Sequence, residues 1–153
     1  MKDWTGNAQA VHAINLRNHD AQEHDYYATD PRAVELLLEN ETFNSRIWEP
    51  ACGEGHIAKV LTAHGYDVFA SDLVWRGYGT PYFDFLKGVH MAEDDEFDII
   101  TNPPYKFARE FVEKALEVVA DGQKVAMFLK LTFLEGQARR ELFRRCPPPR
   151  RCT

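Results

Sequence analysis

Asn102-Pro103-Pro104-Tyr105 places an amide, a stiff turn and an aromatic face in four consecutive residues, directly after the apolar run Phe97-Asp98-Ile99-Ile100-Thr101. Consecutive prolines lock φ and remove two backbone donors, so the carbonyls of this turn are available as acceptors. A flat group bearing an exocyclic amine fits such equipment. One N–H donates to the Asn102 side-chain oxygen, the other to the Pro103 carbonyl, and the ring stacks on Tyr105. The arrangement suits an amine about to be alkylated.

A second motif lies upstream. Glu49-Pro50-Ala51-Cys52-Gly53-Glu54-Gly55-His56 follows the short apolar run Ile47-Trp48 and precedes a helical pattern. Glycines in a strand-to-helix turn let the backbone approach a ligand closely. Alone, a pair such as Gly53-x-Gly55 is more often a plain turn than a cofactor site. In this order the two motifs resemble those of the S-adenosylmethionine-dependent amino-methyltransferases, whose first motif reads acidic-Pro-Ala-Cys-Gly-x-Gly and whose catalytic motif reads Asn-Pro-Pro-Tyr. Within that group the chain is most similar to small phage or prophage DNA adenine-N6 methyltransferases.

The resemblance implies roles for further residues. Asn102, Pro103, Pro104 and Tyr105 become the catalytic grip on the target base. Pro50, Ala51, Cys52, Gly53 and Gly55 become the cofactor turn, and Asn102 borders the cofactor as well. Glu49 would sit beside the methionine portion of S-adenosylmethionine, where a carboxylate suits an ammonium group. Asp72, with Leu73 after it, ends a second strand; its two oxygens can accept from both ribose hydroxyls, as in dinucleotide-binding folds, or it is a capping or loop aspartate. Asp84 and Phe85 would meet the adenine, the acid accepting from its amino group and the ring covering it. Tyr26-Tyr27-Ala28-Thr29-Asp30-Pro31 resembles an aromatic-x-Thr-Pro element that closes over the methionine end, here with Asp30 inserted, so Tyr27 and Thr29 join the cofactor set. A helix cap beside two core tyrosines accounts for the same residues.

These residues need a scaffold that brings strand ends together. Thr29-Asp30-Pro31 provides an N-cap and a first-turn proline, opening a helix with Val34, Leu37 and Leu38 on one face. Strands are predicted at Arg46 to Glu49, Val68 to Ser71, Tyr82-Phe83, Phe97 to Thr101 and Lys124 to Lys130. Helices are predicted through Ile57, Val60 and Leu61 up to Gly65, and through Phe107, Phe111, Ala115 and Val118. The alternation implies an α/β fold, a mostly parallel Rossmann-like sheet with ligands at its carboxyl ends. By resemblance this is the class I methyltransferase sheet. Residues 1–28, with a short helix around Ala8 to Ile14, form an N-terminal arm, and 29–153 form the domain. Lys130 and Leu131 to Phe133 are secondary candidates for the rim of the target pocket.

Composition narrows the classes. With 153 residues, 44% of them hydrophobic, the chain fits one domain with a real core. No apolar run approaches the ~20 residues of a membrane span and the polar start lacks a signal-peptide pattern, so a cytoplasmic protein with no membrane contact is expected. Three cysteines without a C-x-x-C pair, and six histidines without HExxH spacing, predict neither a disulfide framework nor a metal site. The net charge of −6 is unfavourable for a nucleic-acid binder, yet residues 139–153 hold six arginines against one glutamate. Arg139, Arg140, Arg144 and Arg145 have helical spacing and can meet DNA phosphate, or form a solvated helix face.

One departure from the family concerns the end of the chain. Relatives continue into a final antiparallel hairpin, whereas here the sequence reaches Pro147-Pro148-Pro149 without it. The expectation is a shortened sheet lacking the last C-terminal strands, with the fifth predicted strand as an exposed edge that a second copy covers. Adenine rather than cytosine rests on Asn102, where cytosine-N4 enzymes more often place Ser. Two alternatives stand beside DNA adenine methylation. Protein-glutamine methyltransferases also use Asn-Pro-Pro-Tyr, but usually lack the Pro-Ala-Cys run and carry an extra N-terminal helical domain. The other is a truncated remnant that binds but does not catalyse.

Overall fold

Four short runs become strands; the two central ones are buried on both faces, as parallel sheets require, and the two at the edges only in part. The computed structural model describes residues 25–88 and 96–147. The chain passes through helix α1 (Pro31–Asn40), strand β1 (Arg46–Glu49), helix α2 (His56–Ala63), strand β2 (Asp67–Ala70) and strand β3 (Asp98–Thr101). A 3-10 turn at Tyr105–Phe107 then leads into helix α3 (Ala108–Val118) and strand β4 (Val125–Met127). Two more 3-10 turns, Leu131–Leu134 and Gln137–Arg139, precede the short helix α4 (Arg140–Arg145).

The protein is α/β, and its four strands form an all-parallel sheet in the order β2-β1-β3-β4. Parallel neighbours need crossovers, supplied by α2 between β1 and β2 and by α3 between β3 and β4. Winding reverses between β1 and β3, which opens a crevice beyond their carboxyl ends. On one face Ile47 and Ile100 pack with Val34 of α1 and with Ile57 and Leu61 of α2. On the other, Trp48 and Ile99 pack with Phe111 and Ala115 of α3, together with Phe85 and Phe97. Trp48 anchors this second layer. Its indole N–H donates to Ser71 Oγ at 2.9 Å, and Phe83, Phe85 and Phe97 meet it edge-on.

A buried acid that the sequence did not single out holds the opposite end of the sheet. Asp98 accepts from the Asn44 N–H at 2.6 Å and the Lys124 N–H at 2.7 Å, tying the approaches to β1 and β4 onto the start of β3. Charge-assisted bonds of this kind are stronger than neutral ones.

The cap expected in Thr29-Asp30-Pro31 is Asp30, its Oδ1 accepting from the Arg32 N–H at 2.9 Å, with Pro31 in the first turn. Other elements differ from expectation. Tyr82-Phe83 is not a strand. Gly77 and Gly79 have positive φ and Tyr82 sits at φ 59°, so extension stops at a single parallel bridge between Ser71 and Thr80. The fifth predicted strand is β4, shorter than expected: after the Phe128 N–H donates to the Thr101 carbonyl at 3.0 Å the chain turns toward Leu131–Leu134. Among the described residues β2 and β4 are the sheet edges, and no helix is long and apolar enough to cross a membrane. The helix expected around Ala8 to Ile14 lies outside the described residues.

Candidate functional site

The glycine turn is built by positive φ at two places. Gly53 sits at φ 54° and Gly55 at φ 79°, where Gly55 caps α2. A Cβ on Gly53 would stand 2.3 Å from Cε2 of Tyr26, and one on Gly55 2.5 Å from the Tyr78 ring. Backbone conformation and ring contact therefore demand glycine at each position.

Two buried carboxyl groups flank this turn. Glu49 ends β1 with 1% exposure, and its Oε2 accepts from the Ala58 N–H of α2 at 2.9 Å. Burial raises its pKa well above the ordinary carboxylate value; the Ala58 N–H pulls it back and the charge of Asp72 pushes it further up. Asp72, just after β2, clasps the glycine turn. Its Oδ2 accepts from the Gly53 N–H and its Oδ1 from the Val74 N–H, both at 2.8 Å. Burial raises its pKa too, opposed by those two N–H groups and by the Arg76 guanidinium. Each oxygen spends one lone pair on the backbone and keeps another for a ligand donor. Between the acids lies Cys52, whose thiol is pushed up to about 12 by burial, then by Glu49 and Asp72. It is a packed thiol, not a thiolate.

An open cleft lies between the ends of β1 and β3, lined by Pro50, Ala51, Asp72, Leu73, Phe83, Asp84, Phe85, Asn102, Pro103 and Pro104 among others. Its position, at the carboxyl ends of parallel strands where the winding reverses, is where such sheets take ligands. A smaller recess beside it is bordered by Thr29, Glu49, Cys52, His56 and Asn102. Leu73 and Phe85 are buried apolar walls. Asp84 also lines the cleft; its Oδ1 accepts from the Leu86 N–H at 3.1 Å, while its buried Oδ2 lies 3.2 Å from Lys87 Nζ without the angles of a hydrogen bond.

At the end of β3 the Asn102 Nδ2 donates to the Tyr27 carbonyl at 2.9 Å and to Thr29 Oγ1 at 3.0 Å, whereas its Oδ1 is buried with no partner. Pro103 is buried and the Pro104 carbonyl accepts from the Phe107 N–H at 2.9 Å, opening the 3-10 turn that presents Tyr105. Tyr105 stacks on Tyr27 with centroids 5.0 Å apart and planes at 24°. Lys130 Nζ lies 4.7 Å from the Tyr105 centroid and 5.7 Å from that of Tyr27. Tyr27 and Thr29, expected at the cofactor, thus make their closest described contacts with the Asn-Pro-Pro-Tyr turn.

Residues Asp25 to Thr29 form a strap across both motifs. Asp25 accepts from the Lys106 N–H at 2.8 Å, and the Tyr26 hydroxyl accepts from the Glu54 N–H at 3.4 Å. The Arg76 guanidinium lies 4.6 Å above the Tyr26 ring. Asp25 and Arg76 escaped sequence reasoning; their partners are distant in the chain, so no local pattern marks them.

The C-terminal arginines are not one uniform surface. Arg139 Nη1 donates to the carbonyls of Thr132, Phe133 and Glu135 at 3.1, 3.0 and 2.6 Å, and its guanidinium covers the Phe133 ring, so it closes a turn. Arg144 pairs with Glu141 and Arg145 with Glu113 at the surface, contacts worth ~0–1 kcal/mol each. Among the described residues no cluster of His, Cys, Asp and Glu could hold a metal ion. No family model matches the chain, and no curated protein matches it.

Proposed function

We propose that this chain is a class I, Rossmann-like methyltransferase that carries a methyl group from S-adenosylmethionine to the exocyclic N6 amino group of adenine in DNA. One observation carries the reading. Asn102, at the carboxyl end of a central parallel strand, has both amide hydrogens engaged within the protein and leaves its buried oxygen without a donor. A buried acceptor left unmatched is costly, and an incoming amine N–H is the group that satisfies it.

The residues present fit the cofactor. Asp72 keeps one lone pair on each oxygen for hydroxyl donors, Glu49 offers a buried carboxyl to a cation, and Leu73, Phe83 and Phe85 supply apolar walls for a flat base. Bound there, S-adenosylmethionine supplies an electrophilic methyl on sulfonium sulfur. The protein's own contribution is placement. An aromatic amine is a poor nucleophile because its lone pair is delocalised into the ring, so orientation has to supply much of the acceleration. Acceptance of one N–H by Asn102 Oδ1 and the other by the Pro103 carbonyl favours a pyramidal nitrogen and stabilises the positive charge that grows on it. A duplex base has to leave the stack to reach this grip, and stacking on Tyr105 offsets roughly 1–3 kcal/mol of that cost.

The test incubates the protein with S-adenosylmethionine and unmethylated DNA, digests the product to nucleosides and weighs them, beside an Asn102→Ala control. N6-methyldeoxyadenosine in the wild type alone is the expected result. No methylated base from folded, cofactor-binding protein refutes the reading.

A further inference from the structure

A primary amide is nearly symmetric in shape, so an asparagine turned by half a revolution occupies the same space with donor and acceptor exchanged. Which end of Asn102 faces the cleft decides whether the site recognises an N–H or a carbonyl. Nothing in the Asn-Pro-Pro-Tyr sequence settles that choice. The strap does. The Tyr27 carbonyl stands 2.9 Å from Asn102 Nδ2. Having no hydrogen, it can only accept, and a turned amide would set two acceptors against each other at that position. The Thr29 hydroxyl, 3.0 Å from the same nitrogen, takes the second hydrogen. Both amide hydrogens are then consumed, and Oδ1 is the only polar group Asn102 has left to offer.

We infer that Thr29, acting with the Tyr27 carbonyl, is a positioning residue that locks the Asn102 amide oxygen toward the target and so selects a ring carrying an amino group over one carrying a carbonyl. The inference rests on the amino-methyltransferase reading and adds a determinant outside the catalytic motif. Thr29 reaches Asn102 across a sequence separation of 73 positions, by way of the cap that starts α1 at Asp30. Loss of the hydroxyl leaves one amide N–H without an acceptor and the Tyr27 carbonyl alone to hold the orientation, so the turned amide becomes less unfavourable.

The experiment compares wild type, Thr29→Val and Thr29→Ser in two ways. In steady-state methylation of an adenine-containing oligonucleotide, Thr29→Val is expected to lower kcat roughly tenfold, the equivalent of one lost hydrogen bond, while the KM for S-adenosylmethionine stays within about twofold. Thr29→Ser restores kcat. An oligonucleotide with hypoxanthine replacing adenine, which presents a carbonyl instead of the amine, is expected to compete better against Thr29→Val than against wild type. Independently of turnover, the Asn102 side-chain NH2 signals in nitrogen-edited NMR, assigned by their absence from Asn102→Ala, should shift in Thr29→Val and persist in Thr29→Ser. Unchanged kcat and unchanged NH2 signals in Thr29→Val overturn the inference, as does a loss confined to the KM for S-adenosylmethionine. If Thr29→Val does not fold, Thr29→Ala is read by the same criteria. A wild type that transfers no methyl group refutes the functional reading instead, and the NMR arm then decides the positioning role alone.

Discussion

Asn102→Ala should separate function from stability, and the structure says by how much. The substitution removes two hydrogen bonds, to the Tyr27 carbonyl and to Thr29 Oγ1. At about 0.5–1.5 kcal/mol each, their loss costs about 1–3 kcal/mol. Tyr27 is exposed and Thr29 half-buried, so water can reach the vacated acceptors and the loss belongs near the lower end. The same substitution deletes the buried, partnerless Oδ1, whose desolvation penalty is also about 1–3 kcal/mol. The two contributions nearly cancel, and the variant should lie within about 1 kcal/mol of wild type. Urea denaturation followed by Trp48 fluorescence and far-ultraviolet circular dichroism reads this directly. With a slope of about 1–3 kcal/mol/M, the midpoint should move by no more than roughly 0.3–1 M. Methyl transfer, in contrast, should fall by about a hundredfold or more, as when one preorganised transition-state contact is removed. A destabilisation of about 3 kcal/mol would show that Oδ1 carries no penalty in the folded protein, and the argument from an orphaned acceptor would collapse.

Other substitutions test the scaffold around that residue. Gly55→Ala forces φ 79° on an alanine and drives its Cβ into the Tyr78 ring, so a loss of about 2 kcal/mol or more in urea stability is expected; a neutral result would mean the turn relaxes freely. Because burial holds the Glu49 carboxyl above its ordinary value of 4.5, the folded state binds its proton more tightly than the unfolded state does. Its contribution is therefore fully present below the unfolded value and is lost as pH rises through the folded one; ligand-free wild type should lose stability with rising pH more steeply than Glu49→Gln, and parallel profiles would contradict this. Cys52, buried with its thiol near 12, should resist iodoacetamide at neutral pH in the folded chain while exposed Cys146 is alkylated, as peptide mass spectrometry would show; equal labelling would mean that the glycine turn opens readily.

The strands that carry the site are legible as text because burial on both faces writes itself as continuous apolar runs: Ile47-Trp48 for β1 and Ile99-Ile100 for β3. Asn102 and Glu49 stand at the ends of those runs, so their proximity follows from a parallel sheet in which β1 and β3 are neighbours. Tyr82-Phe83 misleads for the complementary reason. Two β-favouring aromatics suggest extension, but only Phe83 packs against Trp48 while Tyr82 is exposed at φ 59°, and the positive-φ glycines before them set a loop path. Arg139 stands in a basic run that reads as phosphate-binding, and its Nη1 also closes a turn by donating to three carbonyls. A charge count cannot see carbonyls.

Residue types and spacing alone determined where the turns at the strand ends fall, because glycine, proline and asparagine act on the backbone within a few positions of themselves. What they could not show was which atoms remain available once the chain has folded. Asp25 meets Lys106 across 81 positions and Thr29 meets Asn102 across 73, and such contacts depend on the route of everything between. Asp72 accepts from the backbone of Gly53 and of Val74, Tyr27 covers one face of Tyr105, and the strap turns the Asn102 oxygen into the one unmatched end of its amide. Hydrogen-bond vacancy is a property of the assembled surroundings, and it emerges only when every competing donor and acceptor has a position.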